Sequence, residues 1–354
     1  MPAEKLRIGV LFGGRSAEHE VSLLSAANVM AALDPAKYDA VPIFVTREGQ
    51  WLLSRFEDGA LATPSGGTEI CLLPGGHGRM LAIPAGGAPY ALPTIDILFP
   101  VLHGLHGEDG AVQGLAEVAR VPLGGCGILG SATALDKDIA KRLLKAAGVP
   151  VARSVTIDEG AAPSLAELEE QLGLPLFVKP ARQGSSVGVA KVNGSQEFDR
   201  ALSEAFQHDS KLLAEEFVRG REIEYSVLES PTGELFVSRP GEIVPAESHG
   251  FYNYSAKYID ENGAALIVPA DLPPEVEDAM RDMAARAFRA LGCDGMARVD
   301  FFLLPDMSFL INELNTIPGF TNISMYAKAM AASGVSYPEV IDRLVAHGLA
   351  RAGS

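Results

Sequence analysis

The opening of the chain constrains its fold more than any other segment, because it has the pattern of a β-strand, a turn and an α-helix. The run Leu6 to Phe12 is apolar apart from Arg7, ends at Gly13-Gly14, and is followed by helical spacing from Glu20 to Leu33. A strand that is apolar on both faces is typical of a buried parallel sheet. Similar runs recur at Ala40 to Thr46 and Ile95 to Val101. The first third is therefore predicted to be an α/β unit with a parallel sheet.

The rest of the chain predicts further, smaller α+β units. The Gly/Pro-rich interval from Gly59 to Pro93 is expected to be irregular apart from one short strand. A helix that starts near Ala132 should end at Gly148, with Pro150 as a stop signal. A chain of 354 residues exceeds the usual size of one domain, and domains are predicted over 1–125, 126–215 and 216–354. Later strands and helices are predicted at Val151 to Thr156, Ser164 to Leu172, Leu176 to Lys179, Val187 to Val192, Gln196 to Phe206, Lys211 to Phe217, Glu222 to Glu229, Leu235 to Ser238 and Glu275 to Leu291.

Charge and cysteine content limit the partners that the chain is expected to have. With 29 Lys+Arg against 45 Asp+Glu, the net charge of −16 repels nucleic acid and anionic membrane surfaces. The three cysteines are scattered and odd in number, so neither a disulfide framework nor a zinc knuckle is indicated. No apolar stretch approaches the length of a membrane span. The sequence therefore predicts a soluble cytoplasmic protein.

Two segments near the C-terminus, Met296 to Phe302 and Phe309 to Asn315, have the pattern of a β-hairpin that turns at Asp306-Met307. Antiparallel pairing around that turn sets Asp300 opposite Glu313, and Arg298 opposite Asn315. Opposed carboxylates repel each other unless a cation lies between them, and oxygen ligands of this kind suit Mg²⁺. From the hairpin alone, a magnesium site and a polar face neutralised by Arg298 are equally supported. The other, buried face is predicted to carry Phe301, Leu303, Leu310 and Leu314.

A glycine-rich loop runs from Lys179 to Gly188, between two predicted strands. Its backbone N–H groups could surround phosphate oxygens, with Lys179 as a point charge, although a simple hairpin turn is the alternative. The segment Gly184 to Gly188 also matches G-x-S-x-G, the nucleophile elbow of hydrolases, with Ser186 as nucleophile. That motif requires a following helix, whereas a β-branched segment follows here. We therefore favour phosphate binding.

Two other motifs in the first half of the chain are ambiguous. Gly125 to Gly130 matches the dinucleotide fingerprint G-x-G-x-x-G, but only a short apolar run precedes it. The segment His103 to Gly110 follows a predicted strand, which is where α/β sheets place ligands. Its two histidines lack a third zinc ligand, so contact with a substrate or helix capping is favoured over zinc binding. Glu18 could bind a substrate ammonium or belong to a helix N-terminus, and the local pattern favours the helix.

Taken together, four separated motifs resemble those of the D-alanine–D-alanine ligase family. The motifs are Gly13 to Ser22, His103 to Gly110, Lys179 to Gly188, and Arg298 to Asp300 with Asn312 to Thr321. The resemblance spans nearly the whole chain and implies a three-domain ATP-grasp fold, mixed α/β and α+β, with an N-terminal parallel-sheet domain. It implies the ATP-dependent ligation of two D-alanines through D-alanyl phosphate, for peptidoglycan precursor synthesis. It also implies two Mg²⁺ or Mn²⁺ ions per site and a homodimer.

The same resemblance assigns roles to individual residues. The ATP contacts it implies are Lys137, Lys179, Ser186 and Lys257 for the phosphates, Glu215, Phe217 and Val218 for adenine, and Glu222 for ribose. The metal ligands it implies are Asp300, Glu313 and Asn315. The substrate and catalytic residues it implies are Glu18 and His103 for the first D-alanine, Arg298 and the Gly319 backbone for the oxyanion, Ser324 for the second D-alanine, and Ser185 and Tyr258 as a latch with Glu18.

Three alternatives remain open from the sequence. A ligase of the same fold could use D-lactate or D-serine as acceptor, although the tyrosines between Phe251 and Tyr258 favour D-alanine. A non-catalytic nucleotide-binding regulator is disfavoured, because every implied metal and phosphate residue is present. An enzyme that transfers hydride would have to bind NAD at Gly125 to Gly130. Glu216 departs from the family pattern, in which some members have lysine beside adenine.

Overall fold

The computed structural model describes residues 5–245, 264–321 and 323–353. Its first sheet is built from residues Leu6 to Pro100. The elements of this part are β1 (Leu6–Gly13), α1 (His19–Ala32), β2 (Tyr38–Val45), β3 (Trp51–Leu53), β4 (Phe56–Glu57), β5 (Ala60–Leu61), β6 (Thr68–Leu72), β7 (Met80–Pro84), β8 (Tyr90–Leu92) and β9 (Ile97–Pro100). The sheet order is β8-β7-β6-β3-β2-β1-β9, and β4 pairs with β5 separately.

The first sheet is mixed, which corrects the prediction of a parallel sheet. Strand β1 pairs in parallel with β2 and β9, as the opening pattern predicted, but β3, β6, β7 and β8 add antiparallel strands. Three of these strands lie within Gly59 to Pro93, so the prediction of an irregular interval was wrong. Only one face of β6 and β7 is buried, through residues such as Ile70 and Met80. Such short, alternating strands leave little signal among glycines and prolines.

The second sheet is antiparallel and is preceded by three helices. These elements are α2 (Ala111–Ala119), α3 (Ile128–Leu135), α4 (Lys137–Ala146), β10 (Ser154–Asp158), α5 (Leu165–Leu172), β11 (Leu176–Pro180), β12 (Ala190–Val192), α6 (Ser195–Ala205) and β13 (Lys211–Glu216), with strand order β10-β13-β11-β12. The single helix predicted from Ala132 to Gly148 is two helices, because Asp136 leaves helical geometry and its side chain accepts a hydrogen bond from Ile139 N at 3.2 Å. That cap places Lys137 at the start of α4.

The third sheet and the last three described helices complete the chain. These elements are β14 (Arg221–Glu229), β15 (Leu235–Val237), β16 (Gly241–Pro245), β17 (Ala264–Ile267), α7 (Pro274–Ala290), β18 (Met296–Leu303), β19 (Phe309–Asn315), α8 (Met325–Ala332) and α9 (Tyr337–Ala352). The strand order is β17-β16-β14-β18-β19, and β15 pairs with β14. Strands β16 and β17 were not predicted. The segment Phe251 to Tyr258, whose tyrosines favoured D-alanine as acceptor, lies outside the described residues.

The hairpin register predicted from the sequence is confirmed. Asp300 pairs with Glu313 and Arg298 pairs with Asn315. The register shifts by one residue after Asp300, because Phe301 pairs with Ile311 and leaves Asn312 as a bulge. This bulge turns Ile311 to the buried face, where Leu310 was predicted to lie.

One hydrophobic core extends from the first sheet into the C-terminal helices. It joins Phe12 and Phe99 to Phe320, Tyr326 and Ile341, all of which are at most 2% exposed. The loop between β19 and α8 is therefore packed against the first sheet. In the part of the chain that the structure describes, no helix is both long and apolar enough to cross a membrane.

Candidate active site

A pocket of about 430 Å³ lies between the second and third sheets. Strands β11 and β13 form one side of it, and β14, β16 and the bulged hairpin form the other. The residues implied for ATP that line it are Lys137, Lys179, Ser186, Glu215, Phe217, Val218 and Glu222, and Asn312 and Glu313 line it as well. Lys257 and Tyr258 lie outside the described residues. The pocket therefore gathers residues that are far apart in the sequence.

The side of the pocket formed by the second sheet contains a buried ionic cluster. Lys179 Nζ lies 2.7 Å from Glu215 Oε1, and Lys141 Nζ lies 2.6 Å from Glu215 Oε2. Burial raises the pKa of Glu215, but the two lysines outweigh it and hold that pKa below its usual value. Two lysines and one carboxylate leave a local charge of +1 (2 − 1), which suits an anionic ligand in an acidic protein. The sequence analysis missed Lys141.

Apolar side chains cover the part of the pocket beside this cluster. The rings of Phe177 and Phe217 lie 6.0 Å apart, and Val189, Ile243 and Phe302 also line the space. An apolar slot with a few polar groups at its edge is the usual form of a site for a planar base. Glu216, the departure from the family pattern, is held by Arg153, whose Nε lies 2.6 Å from Glu216 Oε2.

The glycine loop closes the pocket at the end where Lys137 reaches in. Ser185 and Ser186 have φ angles of 49° and 60°, which lie in the left-handed region. Lys137 Nζ donates to Gln183 O at 2.7 Å and lies 3.5 Å from Glu313 Oε2, so this lysine joins the loop to the hairpin. The loop leads into strand β12 and not into a helix, which contradicts the nucleophile-elbow reading of Ser186.

The hairpin carboxylates lie around a buried arginine. Arg298 donates from Nε and Nη2 to the two oxygens of Asp300, both at 2.7 Å, and its Nε lies 2.9 Å from Glu224 Oε2. Burial lowers the pKa of Arg298, but Asp300 and Glu224 outweigh it and keep this pKa above its ordinary value. Glu224 pairs with Asp300 across β14 and β18, a contact that the sequence analysis did not foresee. Asn315 Nδ2 donates to Asp300 Oδ2 at 3.0 Å.

This donor set fits a hard divalent cation. Asp300, Glu313 and Asn315 supply oxygen atoms from two neighbouring strands, and Glu313 faces the pocket. A carboxylate has about four lone-pair positions, so Asp300 can keep its contacts with Arg298 and still accept a further cation. The bulge at Asn312 is consistent with such a role, because bulges re-aim side chains beside active sites.

Glu18 connects the first sheet to the glycine loop. It is the N-cap residue of α1, as the local pattern favoured, yet its side chain makes no capping hydrogen bond. Its Oε1 instead accepts a hydrogen bond from Ser185 Oγ. A Cβ atom added at Gly184 would lie 2.6 Å from Glu18 Oε2, so a side chain at this position would displace the Glu18 carboxylate. The predicted contact between Glu18 and Ser185 is therefore present.

His103 lies beneath Glu18, and protein groups engage both of its ring nitrogens. Nδ1 lies 2.8 Å from Ile317 O, and Nε2 lies 3.1 Å from Ser25 Oγ. Burial, which outweighs the opposite effect of Glu18, lowers the pKa of His103. A buried neutral histidine with two protein partners is suited to holding other groups in place.

Gly319 and Ser324 lie in the segment that connects the hairpin to α8. Ser324 is the N-cap residue of α8, and its Oγ accepts from Thr321 N at 3.1 Å. A Cβ atom on Gly319 would lie 3.2 Å from that oxygen. Gly319 therefore lies within the loop between β19 and α8, and Ser324 ends that loop.

The G-x-G-x-x-G segment has a packing role. Gly127 is the N-cap residue of α3, and a Cβ atom on Gly130 would lie 2.5 Å from Cys293 Cα. A Cβ atom on Gly295 would in turn lie 2.9 Å from the Gly125 carbonyl carbon. These glycines allow two backbone segments to touch, and they explain the motif without a dinucleotide.

The three sheets, with a nucleotide-sized pocket between the second and third, form an ATP-grasp architecture. Family models for the N-terminus and the C-terminus of D-Ala–D-Ala ligase match residues 7–126 and 143–346. The chain belongs to the D-alanine–D-alanine ligase family.

Individual relatives agree with this assignment over the full length. The chain is 66% identical to D-alanine–D-alanine ligase A of Brucella suis, over 99% of each chain, and 46% identical to that of Escherichia coli K12, over 98% and 97%. Among solved structures, the D-alanine–D-alanine ligase from Coxiella burnetii has a TM-score of 0.84 at 36% identity, over 99% and 96%. The VanG D-Ala:D-Ser ligase from Enterococcus faecalis has a TM-score of 0.83 at 36% identity, over 98% and 100%.

Proposed function

We propose that this chain joins two molecules of D-alanine into D-alanyl-D-alanine with ATP, through a D-alanyl phosphate. The chain is an ATP-dependent ligase by family, and its product serves peptidoglycan precursor synthesis. The observation that carries the proposal is the contact between Glu18 and Ser185. It brings the proposed ammonium-binding carboxylate to the glycine loop that lines the pocket for ATP.

The pocket supports a specific placement of ATP. The phosphates would lie against Lys137, Lys179 and the glycine loop with Ser186, where the positive charge is concentrated. Adenine would fill the apolar slot beside Phe217 and the Val218 backbone, with Glu215 at its edge. Glu222 would accept from the ribose hydroxyls, and Lys257 would complete the phosphate site.

We propose Asp300, Glu313 and Asn315 as the ligands of two Mg²⁺ or Mn²⁺ ions. When bound, these ions neutralise charge on the transferring phosphoryl group. The chain's own contribution is to hold the carboxylates still, since Arg298 fixes both oxygens of Asp300 and Lys137 lies near Glu313.

The proposed reaction consists of a phosphoryl transfer followed by an acyl transfer, and side chains of the site would assist both. First, a carboxylate oxygen of D-alanine attacks the γ-phosphorus and ADP leaves, while Glu18 holds the ammonium. Next, the neutral amine of the second D-alanine attacks the carbonyl carbon of the D-alanyl phosphate, the C–O bond to the phosphate breaks, and the departing phosphate takes up the proton that the nitrogen loses. Arg298 and the Gly319 backbone would stabilise the oxyanion, and Ser324 would hold the second carboxylate. A latch of Ser185, Glu18 and Tyr258 would exclude water, which would otherwise hydrolyse the acyl phosphate.

The acceptor is the main alternative, because a D-Ala:D-Ser ligase has nearly the same fold. We propose D-alanine on the basis of the tyrosines between Phe251 and Tyr258. The test is to incubate the protein with ATP and D-alanine, alone or with D-serine or D-lactate, and to identify the products by mass spectrometry. D-alanyl-D-alanine should dominate in every mixture. If the product of D-alanine with D-serine or D-lactate is in excess, that compound and not D-alanine is the acceptor. ADP release without a dipeptide would contradict the ligase assignment.

Three broader properties belong to the same proposal. The net charge of −16 supports activity in the cytoplasm without a nucleic-acid or membrane partner. A homodimer and domain boundaries near residues 125 and 215 are proposed from the family resemblance. Light scattering of the purified protein tests the dimer, and limited proteolysis tests the boundaries.

A further inference from the structure

Three side chains from the first part of the chain hold the backbone of the loop that follows the hairpin. Glu108 Oε1 accepts from Ile317 N at 2.9 Å, and His103 Nδ1 donates to Ile317 O at 2.8 Å. Ser25 Oγ accepts from Phe320 N at 3.2 Å. Both backbone groups of one residue are thus held by side chains more than 200 positions away. We call Ser25, His103 and Glu108 the loop clamp.

The hydrogen-bond partners of the loop clamp determine which of its atoms carry protons. A backbone carbonyl only accepts, so Nδ1 of neutral His103 carries the ring proton and Nε2 is an acceptor. The Ser25 hydroxyl therefore donates to Nε2, while its oxygen accepts from Phe320 N. The other oxygen of Glu108 accepts from Gly104 N at 2.8 Å. Each member of the loop clamp thus has one arrangement that satisfies every partner.

The held loop joins two proposed functional positions. It begins after Asn315 at the end of β19 and reaches Ser324 at the start of α8, with Gly319 between them. Residues 316–321 have no helix or strand pairing of their own. Hydrogen bonds from outside the loop, together with the buried ring of Phe320, therefore fix its backbone.

We propose that Glu108 is a positioning residue for the ligation, acting with His103 and Ser25 to fix the backbone that carries Gly319. The inference rests on the proposed role of the Gly319 backbone at the oxyanion. A donor to a transient charge acts only when it is held in place before the reaction, and a shift of about 1 Å can cost about 100-fold in rate.

The surroundings of Glu108 separate this role from a purely structural one. Burial, followed by the charge of Glu18, raises the pKa of Glu108 to about 8, while the two backbone donors and Arg298 act in the opposite direction. Keeping a carboxylate here is unfavourable for folding. A neutral replacement removes that penalty, so turnover should fall by more than any change in stability explains.

The test compares Glu108→Gln with Asp109→Asn, a matched control on the neighbouring residue. Asp109 also accepts two backbone hydrogen bonds at 2.9 Å, from His106 N and Ala111 N, but both donors are near neighbours of Asp109 in the sequence. In Glu108→Gln the amide nitrogen faces a donor, so one of the two backbone contacts is lost. We expect kcat to fall about 10- to 100-fold with KM for ATP within about twofold, while the lost buried hydrogen bond and the removed charge penalty offset each other and keep the urea midpoint close to that of the wild type. Asp109→Asn should keep kcat within about twofold.

Three results would overturn the proposal: unchanged kcat in Glu108→Gln, a loss of kcat that follows a lower urea midpoint, or an effect on KM for ATP alone. The wild-type control keeps the two proposals separable. If the wild type forms no dipeptide, the ligase assignment fails; if it does and Glu108→Gln matches it, only the loop clamp fails.

Discussion

Lys141 does not line the pocket, but its buried ion pair with Glu215 should stabilise the fold, so removing this lysine should destabilise the protein. The side chains of Lys141 and Glu215 are only 4% and 5% exposed, and their charged atoms lie 2.6 Å apart. Burial lowers the pKa of Lys141, and the charge of Glu215 opposes this effect. Water therefore solvates the two charges poorly, and each depends on its ion-pair partner. Lys141 Nζ also donates to Ala152 O at 3.2 Å. Lys141→Met keeps the aliphatic stem and deletes the charge.

The expected loss of stability depends on the ion pair that Glu215 still makes with Lys179. Breaking a buried ion pair by removing one partner costs about 3–5 kcal/mol. Here Glu215 retains Lys179, and repulsion between the two lysines disappears, so we expect about 2–3 kcal/mol. The local charge also falls from +1 to 0, and ATP should bind more weakly.

Urea denaturation and ATP titration calorimetry measure the two effects. Arg343→Met is the control, because the ion pair of Arg343 with Glu339 joins side chains that are 40% and 43% exposed and should contribute less than about 1 kcal/mol. If Lys141→Met and Arg343→Met lose the same small stability, the buried cluster does not support the fold as argued.

Three further changes test other parts of the account. Ser164→Ala removes the capping box of α5 and should lower stability by about 1 kcal/mol in urea titrations; no change would refute the cap. Gly13→Ala should lower the melting temperature, because φ is +93° and the new Cβ would lie 2.4 Å from Val45 O; a wild-type melting temperature would contradict this. Glu18→Gln should raise KM for D-alanine about tenfold in steady-state assays and leave KM for ATP within about twofold; equal changes in both would remove the ammonium role.

The sequence predicted elements whose pattern is local. The apolar run before Gly13 predicted the start of the first sheet, and period-two alternation predicted the pairing of Asp300 with Glu313. The same alternation could not predict the bulge at Asn312, since one extra residue reverses the faces of everything before it. The face predicted for Leu310 was therefore wrong.

Long-range contacts account for what the sequence did not predict. Lys141 has no local pattern that sets it apart from other helical lysines, and only the packing of α4 against β13 gives it Glu215 as a partner. Glu224 and Glu108 likewise gain their roles from strands and loops that are distant in the chain. Family resemblance assigned roles to residues expected to bind ligands, but it did not name Lys141, Glu224 or Glu108, whose contacts hold those residues or their loop in place.

The most direct test of the account is phosphate release from ATP with D-alanine, comparing wild type, Glu313→Gln and the surface control Glu339→Gln at increasing Mg²⁺. If two strands present their carboxylates to magnesium beside the nucleotide, Glu313→Gln should lose at least about 100-fold in turnover and require more Mg²⁺, whereas Glu339→Gln should match the wild type. Unchanged turnover and Mg²⁺ dependence in Glu313→Gln would contradict the proposed metal site.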